Sequence, residues 1–560
     1  MAGSGVLTVG VSALTSYQRV LSTISHNIAN VNTPGYSRQV VDLSSRNPQF
    51  FGNGYLGKGV EVQNIRRLTD DFLTSQLQAS ISNLGEAENL HALASQVDNI
   101  FADPATGLTP VLQDFFNGVQ NVADDPATIP ARQVLLSESE SLVGRFHDMN
   151  ARMDELNREV NDRIYSDVNE INQLAEAIAE VNLSITLSPG IANGILPNDL
   201  LDQREALLNQ LSEKVAVSTV DQTDGSINVL IGKGQPLVIG STSQRLTTFV
   251  DAADPISLRV GYDAGGNTID VTDELTSGSL GASIAFRSQL LNPARNGLGR
   301  LAAVLAQTFN QQHRQGMDLD GNLGGDFFSI DPPKVIDGPA NGGTVTVAFD
   351  PAAQGNLTTA DYRLDFNGTN FVLTNLADNS TQTFAPPGIG NSFSADGLIF
   401  TQTSAPAAGD TWSIQPTREL ARSFALAVDA PRQIAAAAPI RASAALGNQS
   451  DAAISTGTVL DVNDPNLLTT ANIVFDNPPT TYRINGGASQ AYTSGGNIDF
   501  NGWRVQITGT PAAGDTFTVQ SNTGGAGDNR NALALAALQT TDILDGGSTT
   551  FQGAYGQIIT

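Results

Sequence analysis

Two long stretches of the chain carry apolar residues every three or four positions, the spacing that keeps one face of an α-helix apolar. In the first, Leu14, Tyr17, Leu21, Ile24, Ile28 and Val31 form the stripe. Thr33-Pro34-Gly35 stops it, because proline disfavours helix in the residue before it and Pro-Gly suits a type II turn. A helix of that length is marginal alone in water. Residues 36–68 are rich in Gly, Asn and Ser and read as extended or irregular.

The second stretch, 69–187, is strongly helical. A first helix carries Leu73, Leu77, Ile81, Leu84 and Leu90 and stops near Asp103-Pro104, and a shorter one carries Leu108, Leu112, Phe115 and Val119. A long helix begins near Pro130, a residue suited to the first helical position. Its packing stripe is Leu142, Phe146, Met149, Met153, Leu156, Val160, Ile164, Val168, Ile171, Leu174, Ile178, Val181 and Ile185. That is 43 residues in 12 steps, about 3.6 per step, which predicts a nearly straight helix or a mild coiled coil. A rod of this length is an architectural element more often than part of a catalytic scaffold.

Beyond it the pattern turns to alternation. Residues 215–239 read as two or three strands, helix returns at 298–313, and 342–522 carries short Thr/Val/Phe runs broken by Asn-Gly and Gly-Gly. Residues 397–415 (GLIFTQTSAPAAGDTWSIQ) align without gaps to 502–520 (GWRVQITGTPAAGDTFTVQ), with nine of nineteen positions identical. Each copy follows a tyrosine strand, Tyr362-Arg363-Leu364 and Tyr482-Arg483-Ile484. The fold class is multidomain α plus β: a long coiled-coil-like helical rod with inserted all-β modules of sandwich or barrel type. The expected divisions are a helix and linker over 1–68 and a long-helix domain over 69–317 with a small β subdomain near 215–280. A first β module at 318–419 and a second at 455–524 are joined by an alanine-rich helical linker at 420–454, and 525–560 returns to helix.

Composition narrows the partners. The chain has 29 basic and 56 acidic residues and a net charge of −27, with only four lysines, Lys58, Lys214, Lys233 and Lys334. Nucleic acid and anionic membrane both need a basic footprint, so neither is expected as a partner. Cysteine is absent, which removes disulfides, thiol nucleophiles and Cys-ligated zinc together. No apolar run approaches the ~18 residues of a membrane span. The first basic side chain is Arg19, so the N-terminus lacks the basic region of a cleaved secretory signal.

Candidate chemistry is sparse. His26, His91, His147 and His313 are scattered, and helix-surface imidazole is the plain reading of each. Residues 317–322 (MDLDGN) resemble the start of a calcium loop but lack its third acidic position and closing Glu, so a polar turn is expected. Glu138/Glu140 and Asp154/Glu155 sit on the polar face of the long helix, where Asp154–Arg158 and Glu159–Arg163 have the spacing of surface ion pairs. Trp412 and Trp503 lie in the β modules, where core packing outranks sugar stacking. No catalytic constellation, metal site or cofactor motif is read, and the chain is expected not to be an enzyme.

Residues 29–39, ANVNTPGYSRQ, resemble the N-terminal signature of the axial proteins of the bacterial flagellum, the rod, hook and hook-associated subunits. In that family an N-terminal helix leads through Asn-rich sequence into a Thr-Pro-Gly-Tyr/Phe turn; here the matching positions are Asn27, Ala29, Asn30, Thr33, Pro34, Gly35 and Tyr36. Three further segments narrow the resemblance to the hook-associated branch that joins hook to filament. They are 198–217 (NDLLDQREALLNQLSEKVAV), 309–328 (FNQQHRQGMDLDGNLGGDFF) and 528–539 (DNRNALALAALQ).

The resemblance implies a structural subunit exported by the flagellar type III pathway to the extracellular flagellum. Its implied neighbours are copies of itself in a ring, the hook protein and the second junction protein, hook-associated protein 3. Family members end in a further helix that pairs with the N-terminal one; none is read before Thr560, and an export chaperone is expected only where that tail is present. The alternative from another class is a secreted adhesin or carbohydrate-binding protein whose β modules hold the ligand.

Overall fold

Helical segments from distant parts of the sequence divide between two units, one built from Met1–Gln96 with Glu155–Leu290 and the other from Val97–Asp154 with Leu291–Thr560. The expected 69–317 block is therefore shared between them. The computed structural model describes residues 2–102, 107–191, 194–263 and 265–559. The expected helix stop at Asp103-Pro104 lies outside the described residues. In chain order the helices are α1 (Ala2–Ala29), α2 (Asp71–Phe101), α3 (Leu108–Asp124), α4 (Ile129–Thr186), α5 (Asn198–Lys214), α6 (Gly278–Phe286), α7 (Asn292–Arg314), α8 (Leu420–Ser423), α9 (Arg530–Ala537) and α10 (Phe551–Ile559).

In the first unit, 36–68 is more regular than its composition suggested. Strands β1 (Gln39–Ser45), β2 (Gln49–Phe51), β3 (Gly54–Leu56) and β4 (Val60–Arg67) form two nested antiparallel pairs, β1 with β4 and β2 with β3. Helix α1 lies on the β1/β4 pair, and Gly59 is required there: a Cβ at this position would stand 2.1 Å from Ser12 Oγ, and its φ is +90°.

The small β subdomain has β5 (Val217–Asp221), β6 (Ile227–Ile231), β7 (Gln235–Ile239) and β8 (Thr242–Ser243) in one sheet, and β9 (Leu246–Val250), β10 (Leu258–Asp263) and β11 (Thr268–Asp270) in another. Asparagines of α4 bind it as if they were strand backbone. Asn172 donates to the Leu246 carbonyl and accepts from the Leu246 amide, both at 2.9 Å. Asn161 does the same across Ile256 O and Leu258 N, and Asn182 donates to Ile227 O and Gly240 O. A helix side-chain amide thus satisfies buried strand-edge groups that have no strand beside them.

All thirteen residues of the α4 stripe are buried. Val181 and Ile185 pack with Leu201 of α5, and Phe146, in the other unit, stacks edge-on to Phe424 at 5.0 Å. Glu159–Arg163 is the expected i,i+4 pair, whereas Asp154 bonds Arg295 of α7 instead of Arg158.

In the second unit the two β modules repeat one strand order. The first has a five-stranded sheet, Lys334–Asp337, Thr411–Gln415, Tyr362–Phe366, Phe371–Asn375 and Thr381–Phe384, plus the three strands Val345–Phe349, Leu398–Gln402 and Ser392–Ala395. The second has Ile440–Ala444, Thr516–Ser521, Ala471–Phe475, Thr481–Ile484 and Gln490–Ala491, with Trp503–Thr508 at the centre of a smaller sheet. Every sheet is open, so the barrel alternative does not hold. The two tyrosine strands are not equivalent either: Tyr362 is on the third strand of its sheet and Tyr482 on the fourth. Leu398 and Trp412 of one copy align with Trp503 and Phe517 of the other, and all four are fully buried. The bulky indole has therefore moved from one sheet to the opposite one, with the core filled in both.

The shared PAAGDT turn has a structural purpose. Asp410 accepts from the amides of Gly342, Gly343 and Ala407, and Asp515 from those of Gln449 and Ala512.

The alanine-rich linker at 420–454 is not a continuous helix. Its helical pieces are the short Leu420–Ser423 and a single 3-10 turn at Pro431–Gln433, and Ile440–Ala444 is already a strand of the second module. Alanine favours helix by default, but Pro431 and Pro439 interrupt the run, and the intervening backbone makes its hydrogen bonds to other segments. Tertiary pairing overrides propensity.

Candidate assembly site

The Thr33–Tyr36 turn has the geometry its sequence predicts. Tyr36 N donates to Thr33 O at 3.2 Å, Pro34 is second and Gly35 third, with φ +78°. Asn30 closes α1 by donating to His26 O at 3.1 Å, and its side-chain oxygen accepts from Thr33 Oγ1 at 3.2 Å. Asn27 joins the two sides of the turn. Its Nδ2 donates to Gln39 O at 2.9 Å, while its Oδ1 accepts from Gln39 N at 2.9 Å and from the Tyr36 hydroxyl at 2.7 Å. Ala29 is exposed on the last helical residue, leaving room for the chain to reverse.

The turn docks on the first two turns of α5. Ser37 N donates to Asp202 Oδ2 at 3.1 Å, Gln39 Nε2 to Asp199 Oδ1 at 3.0 Å, and a Cβ added at Gly35 would lie 3.4 Å from Ala206 Cβ. Arg67, at the end of β4, bonds Asp202 at 2.7 Å and Glu205 at 3.0 Å. Asn198 donates to Ile65 O at 2.8 Å. Partial burial, then the charges of Asp199 and Asp202, raise the Tyr36 phenol above its ordinary pKa, so it is a hydrogen-bond donor at any physiological pH.

The two segments 29–39 and 198–217, far apart in sequence, meet here. Asp199, Asp202 and Arg67 were not singled out from sequence. The two aspartates stood inside the 198–217 segment, whereas nothing in sequence marked Arg67.

The remaining marked segments meet in the second unit. Asn310 holds both ends of the Phe327–Phe328 backbone, and Gln312 donates to Asn531 at 2.7 Å. The 317–322 segment is a polar turn: Asp318 accepts from the amides of Asp320 and Asn322, and Asp320 pairs with Arg432. His313 is not a surface imidazole but is completely buried. Among the described residues, no group of three His, Cys, Asp or Glu could hold a metal ion, and no helix is long and apolar enough to cross a membrane.

The α1 stripe behaves oppositely to that of α4. Leu14, Tyr17, Leu21, Ile24, Ile28 and Val31 are all exposed, Leu21 at 64%, while Ser12, Ser16 and Thr23 form the covered side. Phe72, Leu73 and Leu77 at the start of α2 are exposed as well.

Comparison with known proteins gives concordant matches. A model described as the flagellar hook-associated protein FlgK helical domain matches residues 94–328, and one for a D2-like domain of flagellar hook-associated protein 1 matches 338–416. A flagella basal body rod protein model matches 7–36. The flagellar hook-associated protein 1 of Escherichia coli (strain K12) is 34% identical over 421 residues, 74% of this chain and 76% of its own length. That of Salmonella typhimurium is 36% identical over 420 residues, 74% and 75% of the two chains. The structure of the flagellar hook junction protein FlgK from Burkholderia pseudomallei superposes with a TM-score of 0.79 at 30% identity, covering 87% of this chain and 94% of that one.

Proposed function

The chain belongs to the flagellar hook-associated protein 1 family, structural subunits of the junction between hook and filament, and we propose that its N-terminal turn is the corner on which that junction is assembled. The observation that carries this reading is the docking of 29–39 on 198–217. The turn fixes where α1 ends and the direction in which the chain leaves it, while the apolar stripe of α1 stays open to partners. In this reading α1 packs with neighbouring subunits around the inner tube. The α4 stripe has an internal role. Being buried in the chain's own core, it shapes the subunit and leaves contacts between subunits to α1 and the start of α2.

Identical subunits, the hook protein and hook-associated protein 3 are the proposed neighbours, reached by type III export, with an export chaperone only where a C-terminal tail is present. The family is structural, and the adhesin alternative has no support in it.

The test uses a motile strain carrying the complete gene. Gly35→Val places a β-branched residue at φ +78° and costs about 1–2 kcal/mol in every subunit; filaments should be lost or sharply fewer. Lys334 and Gln415 are paired neighbours, so 334–415 can be replaced by a short Gly-Ser linker, and filaments should still grow. Normal swimming by the Gly35→Val strain, with no filaments from an exported loop-out protein, would show that the two regions have been assigned the wrong way round.

A further inference from the structure

After one 3-10 turn at Pro431–Gln433, residues 434–437 form a strap between the last strand of the first β module and the first strand of the second. Ala435 and Ala436 are fully buried, and small side chains give a strap little to grip with, so its backbone is what is held. Arg132 of α4 donates to Ile434 O at 2.5 Å, and Asn531 of α9 donates to Ala435 O at 2.6 Å. Met317 and Ala437 exchange two backbone bonds, and Ala532 N donates to Ala436 O at 2.9 Å. The Ala435 amide is held by a titratable group: it donates to His313 Nε2 at 2.9 Å. On the other side of the ring, Nδ1 lies 2.8 Å from Gly325 O.

A carbonyl only accepts and an amide N–H only donates, so the ring must be neutral with its proton on Nδ1. A second proton, on Nε2, would set N–H against N–H inside a site with no solvent. We propose that His313 is an acid-operated clasp: neutral, it fastens the strap that ties both β modules to the helices of their unit, and protonation at Nε2 unfastens it.

The surrounding charges do not prevent this. Asp326 and Asp318, on the loop after α7, favour the proton, and Arg132 from α4 opposes it. Asp326 is paired with Arg314, Asp318 is tied to backbone amides, and Arg432, in the turn before the strap, is paired with Asp320. From α9 the facing group is the uncharged amide of Asn531. Burial dominates and pushes the imidazole down from 6.5 to about 4. With the strap open, the ring is in water and titrates near 6.5. Between those two values the open state takes up a proton that the closed state refuses, so opening is favoured as pH falls and levels off below 4. The opening equilibrium should rise about tenfold per pH unit, roughly 300-fold in all.

The test is made on the full chain. In a histidine-selective ¹⁵N spectrum, His313 should show the Nδ1–H tautomer at pH 7 and stay neutral well below 6.5. Hydrogen exchange of residues 434–437, corrected for intrinsic rates, should rise roughly 80-fold between pH 6.5 and 4. In His313→Gln, whose side-chain carbonyl can accept from the Ala435 amide without titrating, the rise should be absent. An Nε2–H tautomer, or titration near 6.5 in the folded wild type, overturns the proposal even if the variant does not fold. So does the same pH dependence in both proteins.

Discussion

Helices α1 and α4 carry apolar stripes of the same spacing and use them in opposite ways. Every stripe residue of α4 is buried within the chain; Val181 and Ile185 pack with Leu201 of α5 in one unit, and Phe146 packs on Phe424 in the other. On α1 the stripe faces outward, and the helix rests on its hairpin through Ser12, Ser16, Thr23 and the Asn27 amide. Periodicity states which face of a helix is apolar; it does not state whether the cover comes from the same chain. What separates the two helices in this sequence is their polar side. α4 offers asparagines at the positions where strand edges arrive, while the covered side of α1 has small hydroxyls that let a strand pair approach closely.

The contrast breaks first, and with the largest effect, in the core of α4. Phe146 is fully buried against Phe424, and Phe146→Ala should cost about 3–5 kcal/mol in the isolated chain, read as a lower denaturant midpoint. A loss under 1 kcal/mol would mean that the α4 stripe is only loosely covered and that the two helices differ less than described.

A smaller effect is expected where α1 is tied down. Asp202 accepts from the Ser37 amide and from Arg67, and hydrogen bonds to a charged group contribute about 1.5–3 kcal/mol each way. Asp202→Ala should therefore destabilise the docking of the turn by about 2 kcal/mol. Amides of 27–67 should lose exchange protection while those of 156–186 keep theirs. Equal loss in both segments would show that the hairpin and α4 unfold as one, and that the turn is no separate anchor.

How far the sequence foretells this architecture depends on whether the deciding interaction is local. The Thr33-Pro34-Gly35-Tyr36 turn was legible to its φ sign, because proline and glycine determine it within four residues. The long helix and its stripe were legible for the same reason. Strands β1 and β4 were not, since their partners lie some twenty residues apart and neither shows clean alternation. The 420–454 segment misled in the other direction: its alanines announce a helix, and only Arg132, His313, Met317 and Asn531, none of them nearby in sequence, make it a strap. His313 reads as one more polar residue at the end of a helix until Gly325 and Ala435 close over it. Of the candidate site, the turn itself was legible and its receiving surface only as the segment 198–217; Arg67 was not, because its partners Asp202 and Glu205 on α5 lie more than a hundred residues away in sequence.

The smallest expected change in stability is also the one that isolates α1. Leu14, Leu21 and Ile28 lie at exposures of 63%, 64% and 68%, and substitutions at such positions ordinarily stay within ±0.5 kcal/mol. The triple change to glutamine, a residue of comparable helix propensity to leucine, removes the apolar stripe while leaving Ser16, Asn27 and the turn untouched. The isolated chain should keep its denaturant midpoint, because those side chains are already largely exposed and little burial is lost. Assembly should fail for the converse reason. Burying one such aliphatic side chain in a subunit contact is worth about 1.5–3 kcal/mol, three are replaced in each copy, and in the proposed ring the loss recurs at every contact. In a strain carrying the complete gene, the variant should be exported and should not support filaments. A destabilised monomer would mean that the stripe is already covered within the chain. A stable monomer that still builds filaments would move the subunit contact off α1 altogether, leaving the exposed Phe72, Leu73 and Leu77 of α2 as the surface to alter next.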